Sequence, residues 1–314
     1  MTVFFSTLQQ MAFLFLLIVV GYTVARLDVV PENTPSVLSK LENNVFIPAL
    51  VFGTFLQQFT FERIGVAWQY LLGGFAVLAI SIPAAMLCAR FCAKDTYTRN
   101  IYTYGLSFPN FGFMGNAVVS ALFPAVFADY LIFVLPFWML IYLWGVPKLL
   151  IPSENNGKNG LRSSLKSFVN PMFVGMFLGM ILGLLSPPVP AFLLTAVDTL
   201  GDCMSPVAML LTGMTVAKID LKKTFRDGSV YLASVLRLVV YPLVFVALLA
   251  ILPLPEGLSV CVLCAVAMPL GLNTVVIPSA YGLDTSAAAG MALVSHLLSC
   301  LAIPAVFFLY ELVG

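Results

Sequence analysis

The sequence predicts an all-α integral membrane protein of ten transmembrane helices, arranged as two inverted five-helix repeats with broken helices in the fourth and ninth spans. Three observations predict it: an extreme apolar composition, a one-sided distribution of basic residues, and landmarks that recur at a nearly constant interval. Of the 314 residues, 61% are hydrophobic and 9% charged, and the mean hydropathy is +1.03, whereas soluble domains are roughly 45–50% apolar. The formal net charge is +1, so no basic excess points to nucleic acid as a partner. The bilayer is the expected environment, in the cell membrane.

A hydrocarbon core of about 30 Å takes roughly 20 apolar residues per helix. Reading at that length gives spans at 7–26, 38–58, 64–89, 99–123, 127–150, 168–185, 191–215, 229–252, 257–281 and 286–310. The first begins in "MTVFFSTLQQMAFLFLLIVVGY", which lacks a basic leader and is too long for a cleaved apolar core, so it reads as a retained span. Loops held in the cytoplasm keep Lys and Arg. Thirteen of the 15 basic residues fall in the loops after spans one, three, five and seven. With ten spans, both termini then face outside. The polar stretch at 151–167, within "PSENNGKNGLRSS" and its flanks, reads as a cytoplasmic linker between a first repeat at 1–150 and a second at 168–314.

The two halves share landmarks. Gly21 pairs with Gly179 and Pro48 with Pro206 at an offset of 158; Asn116 pairs with Asn273 and Pro147 with Pro304 at 157. Duplication accounts for these intervals, and an odd number of spans per copy makes the second copy enter from the opposite side. Inverted repeats suit alternating access, because exchanging the conformations of two equivalent halves turns an outward-open state into an inward-open one.

The fourth span contains "SFPNFGFMGN", Ser107 to Asn116, and the ninth "AMPLGLNTVVIP", Ala267 to Pro278. Pro109 and Pro269 remove a donor and clash with the preceding turn, and Gly271 permits unwinding. An unsatisfied amide in hydrocarbon costs several kcal/mol, so irregular backbone survives there only where protein or a watery cavity satisfies it. Two breaks at matching positions point to a binding site near the midplane. Half-helices restarting after the breaks would aim N–H groups and a positive dipole end at it, which favours a carboxylate or other anion. Asn110, Asn116 and Asn273 would add neutral donors.

On these residues the chain resembles the auxin efflux carrier family, which includes bacterial organic-anion carriers and the plant PIN-formed transporters. "FPNFGFMGN" is similar to the family's first crossover, with Pro109, Asn110, Met114 and Gly115 in register; "MPLGLN", followed by "AYGLD", is similar to the second. The resemblance implies ten spans, outward termini, and carboxylate binding by Asn110. It also implies a scaffold from spans one, two, six and seven, an elevator-like transport domain from three to five and eight to ten, and a homodimer through the scaffold. Span three lacks the intramembrane acid that the plant carriers place near their site, which leaves proton or sodium coupling open.

Other polar residues stand inside spans. Asp198 and Asp202 share a helical face, Asp202 is the repeat equivalent of Asn44, and acids at such depth, Glu42 among them, are candidates for ion coupling. Arg237 either snorkels to the cytoplasmic end of span eight or neutralises an anion or an acid. His296 either shuttles protons or sits neutral against a backbone carbonyl. The CxxC of Cys261 and Cys264 has no second ligand pair and reads as packing, so no metal or other cofactor is expected. No Walker, HExxH or GxSxG signature is present, so neither ATP hydrolysis nor another enzyme activity is expected. The expected function is secondary transport of a small mono- or dicarboxylate. A sodium-coupled symporter of the bile-acid type and a non-transporting membrane sensor remain as alternatives.

Overall fold

The computed structural model describes residues 2–151, 171–218, 226–280 and 283–313, which form twelve helices with no strand among them. They are α1 (Thr2–Arg26), α2 (34–58), α3 (Phe61–Cys92), α4 (Thr96–Ser107), α5 (Phe111–Leu122), α6 (Pro124–Leu150), α7 (Pro171–Leu185), α8 (Ala191–Ala217), α9 (Gly228–Ile251), α10 (Glu256–Val266), α11 (Asn273–Ala280) and α12 (Ser286–Val313). Among the described residues, α1, α3, α6, α8, α9 and α12 are long and apolar enough to cross a membrane, and α5, α7 and α10 are shorter apolar helices. The chain is an integral membrane protein on this evidence. Apart from Ile151, the linker expected at 151–167 lies outside the described residues, as do Lys222, Lys223 and the Tyr281–Gly282 pair of "AYGLD".

Local chemistry sets the helix ends. Asp95 caps α4 by accepting the Thr98 N–H at 2.8 Å, and Thr60 caps α3 by accepting that of Arg63 at 3.3 Å, each satisfying one orphan donor of a first turn. The α4 helix stops where Pro109 forces its predecessor out of the helical region: Phe108 sits at φ −118°, ψ 98°. Asn110 then re-enters through a π-turn at Phe111–Gly115 before regular helix resumes at Asn116. The ninth expected span divides likewise, α10 ending at Val266 and α11 starting at Asn273.

Two helix pairs pack with backbones almost touching. Gly175, Gly179 and Gly183 recur every four residues along one face of α7, and that face lies on α2. A Cβ on Gly179 would stand 2.6 Å from the Phe52 carbonyl oxygen, and one on Gly183 2.6 Å from that of Phe55. In the other pair, Gly21 of α1 abuts the Leu210 carbonyl of α8, and Gly213 of α8 abuts that of Ile18. Small residues permit such approach where lipid supplies no hydrophobic drive between helices.

The remaining helices enclose the broken segments. α3 packs along α4 and α6, and α9 along α12 and α10. An Arg63–Asp129 ion pair at 2.8 Å ties α3 to the start of α6. Buried Tyr104, Phe108, Phe111, Tyr130, Phe133 and Phe137 pack around the first break through ring contacts and a Tyr130–Phe111 hydrogen bond, whereas Trp68, Leu72, Phe177, Ile181 and Leu301 are exposed on outward faces of α3, α7 and α12, as a lipid-facing surface requires.

Candidate functional site

The two breaks meet. Pro109 and Leu270 form an isolated antiparallel bridge, and the Asn110 N–H donates to the Pro269 carbonyl at 2.8 Å. The Leu270 N–H goes instead to Ser295 Oγ of α12 at 3.2 Å. Backbone groups of each broken segment thus find partners in the other segment and in a serine, which is the condition for non-helical chain among buried helices. Gly271 is required here, because a Cβ would stand 2.7 Å from the Phe108 carbonyl oxygen.

Where the half-helices restart, they border a shared cleft. It is lined by Pro109, Asn110, the Phe111–Phe113 turn, Gly271 and Asn273, with Tyr104, Trp138 and Ile47 closing it. The starts of α5 and α11 both lie on it, so two positive dipole ends border the same space. Asn110 is buried, and its Nδ2 lies 2.9 Å from Nε2 of His296. Asn273 donates from Nδ2 to the Tyr104 hydroxyl at 3.3 Å. The room left for water is ≈ 10 Å³, about one molecule, so the cleft is shut in this conformation. Beside it, sharing Ile47 and Trp138, is a space of ≈ 170 Å³ bordered by Asn43, Asn44 and Tyr142.

On the opposite side of the crossing, the half-helices that enter it end on Arg237. Its Nε donates to Met268 O at 3.0 Å, Nη2 to Ala265 O at 3.0 Å and Nη1 to Leu106 O at 3.3 Å, and the guanidinium lies over the Tyr241 ring at 5.6 Å. Arg237 is 1% exposed. Among the described residues no carboxylate forms an ion pair with it. It caps the C-terminal carbonyls of α4 and α10, groups that helices leave without an internal partner.

The expected residues are therefore brought together in part. Asn110, Pro109, Pro269, Gly271, Asn273 and His296 converge on the crossing. Asn116 is buried within α5 but does not line the cleft, and its Oδ1 has no hydrogen-bond partner among the described residues. Asp202 is exposed in a separate groove between α2 and α8, with Thr54, Gln57 and Asp198; Asp198 there accepts from Gln57 Nε2 at 2.9 Å. Glu42 is fully buried in the π-turn of α2, both carboxyl oxygens unpartnered among the described residues. Sequence reasoning missed Tyr104, Trp138 and Ser295, ordinary residue types in apolar helices that carry no local signal of their contacts.

A comparison with curated proteins finds no match. A family model described as "Membrane transport protein" matches residues 6–307, nearly the whole chain and both halves of the crossing. That family is one of transporters rather than enzymes. With the match spanning both broken segments, the chain belongs to the membrane transport protein family of the auxin efflux carriers.

Proposed function

We propose that this transporter is a secondary carrier for a small organic anion, a mono- or dicarboxylate, working by elevator-like alternating access across the cell membrane. The observation that carries the reading is the shared cleft onto which α5 and α11 both open their N-termini, with Asn110 and Asn273 at its wall. Such a site offers partial positive charge and neutral donors without a mobile counter-charge, chemistry suited to a carboxylate. In this reading α4–α5 and α10–α11 are the crossed fourth and ninth of ten spans in two inverted repeats, and both termini face outside.

The packing supports the same division. α1 lies along α8 and α2 along α7, pairs that an inverted repeat relates to each other, since it maps span one on six and two on seven. These four helices are the scaffold, and the homodimer forms through them; α3–α6 and α9–α12 are the transport domain. The closed cleft beside a wider space is what one occluded step of alternating access requires.

The test is uptake by sealed proteoliposomes of a labelled panel of mono- and dicarboxylates by wild type and Asn110→Ala. Saturable uptake of one anion, lost in a variant that still folds, is the expected result. Flux in Asn110→Ala equal to wild type removes the site assignment, and binding without flux in wild type replaces the carrier with a sensor.

A further inference from the structure

The arrangement around Arg237 is a cation site whose cation is part of the chain. Three backbone carbonyls, from Leu106 at the end of α4, Ala265 at the end of α10 and Met268 just beyond it, converge on one guanidinium within 3.0–3.3 Å. A helix C-terminus carries about half a negative charge. Two of them pointing at one place supply about one, which the guanidinium neutralises. Among the described residues no carboxylate makes an ion pair with Arg237, so the helix ends and the Tyr241 ring are its counter-charge. Without the guanidinium, two like dipole ends would face each other across the crossing with three carbonyls unsatisfied. Carbonyl oxygens at half-helix C-termini are the ligand set that, in carriers with discontinuous helices, holds a free monovalent cation that travels with the substrate.

We infer that Arg237 is a tethered counter-cation: it occupies the position of a free coupling cation, so that the crossing holds together and presents its anion cleft without sodium or any other dissociable monovalent cation. This inference rests on the proposed anion-carrier reading for its functional consequence, whereas its structural content does not depend on which solute moves. The guanidinium keeps its charge at physiological pH and is fixed to α9, so it is neither released nor bound in a cycle. The crossing is always charge-compensated, and the positive N-terminal ends at the cleft are left for the substrate.

The experiment follows thermal unfolding of the purified full chain in sodium, lithium, potassium and choline chloride at equal ionic strength. Wild type is expected to give the same Tm in all four, because its site is filled. Arg237→Ala empties the site. Its Tm is expected to fall in choline and to climb with the concentration of sodium, lithium or low millimolar guanidinium, as it does for any ligand that binds only the native state. Arg237→Lys, which keeps a tethered charge, stays indifferent to the salt. A wild-type Tm that rises in sodium over choline overturns the inference, as does an alanine variant that responds to none of these cations or fails to fold in all of them. Because these readouts need no substrate, a salt-indifferent wild type that takes up no labelled carboxylate would sink the carrier reading alone. In the working carrier, uptake is expected to be equal in sodium and choline.

Discussion

Asn110 and His296, 186 residues apart in the chain, meet side chain to side chain at 2.9 Å. The other ring nitrogen of His296, Nδ1, lies 2.6 Å from the Ala292 carbonyl. A carbonyl only accepts, so Nδ1 carries the hydrogen, and in the neutral ring Nε2 then accepts from the Asn110 amide. The imidazole thereby fixes the rotation of the asparagine assigned to the substrate carboxylate and leaves it one amide hydrogen to donate.

His296→Ala should therefore raise the KM for the transported anion by about tenfold, the equivalent of one buried hydrogen bond. His296→Gln, whose amide oxygen accepts the same bond, should stay close to wild type. Equal KM values in the two variants would remove the positioning role. Because both ring nitrogens are already engaged, the pH profile of uptake is expected to be the same in wild type and His296→Gln.

The crossing itself depends on Gly271. A Cβ there would stand 2.7 Å from the Phe108 carbonyl oxygen, and that atom is backbone, so relief requires the two chains to separate. Gly271→Ala should lengthen the 2.8 Å Asn110–Pro269 bond and cost about 1–3 kcal/mol. Thermal unfolding in detergent would read this as a lowered Tm, with loss of uptake; an unchanged Tm would mean that the crossing tolerates a wider gap.

Much of this site was legible before the structure. Pro109, Pro269 and Gly271 break helices for reasons internal to the backbone, and a break inside an apolar segment must be satisfied by something, so the two loci declared themselves. What satisfies them is tertiary and left no local trace. Nothing adjacent to Ser295 announces that it takes the Leu270 N–H, and nothing near Arg237 distinguishes a cap on two helix ends from a partner for an anion. Asn116 and Asn273 match in register, yet only Asn273 lines the cleft, because the π-turn at Phe111–Gly115 has no counterpart before α11. Asp202 stands in a separate groove for a related reason: depth along a span is read from sequence, but the face it occupies relative to the crossing is set by packing.

Gly115 and Tyr130 form a second close contact, testable by a mutant cycle. A Cβ on Gly115 would collide with the Tyr130 hydroxyl, which donates to the Phe111 carbonyl at 3.2 Å and so steadies the π-turn. Tyr130→Phe alone should cost about 1 kcal/mol and Gly115→Ala alone more. Combined, they should cost less than their sum, because the phenylalanine removes the atom that the new methyl strikes. Additive losses in Tm would show that Gly115 is needed for backbone freedom instead.

The elevator reading makes a prediction about which contacts persist during transport. In a background lacking the six native cysteines, Gln57→Cys with Asp198→Cys joins α2 to α8, two helices assigned to the scaffold, at side chains already 2.9 Å apart. Ile47→Cys with Trp138→Cys joins α2 to α6 across the proposed boundary, at residues that both line the cleft and the wider space beside it. A short bifunctional thiol reagent should leave uptake intact in the first pair and arrest it in the second, with a reducible reagent restoring flux on cleavage. If bridging the scaffold pair stops transport as well, the helices assigned to one rigid body move against each other. If neither bridge stops it, the substrate crosses without relative motion of α2 and α6, and a local gate at Trp138 replaces the elevator.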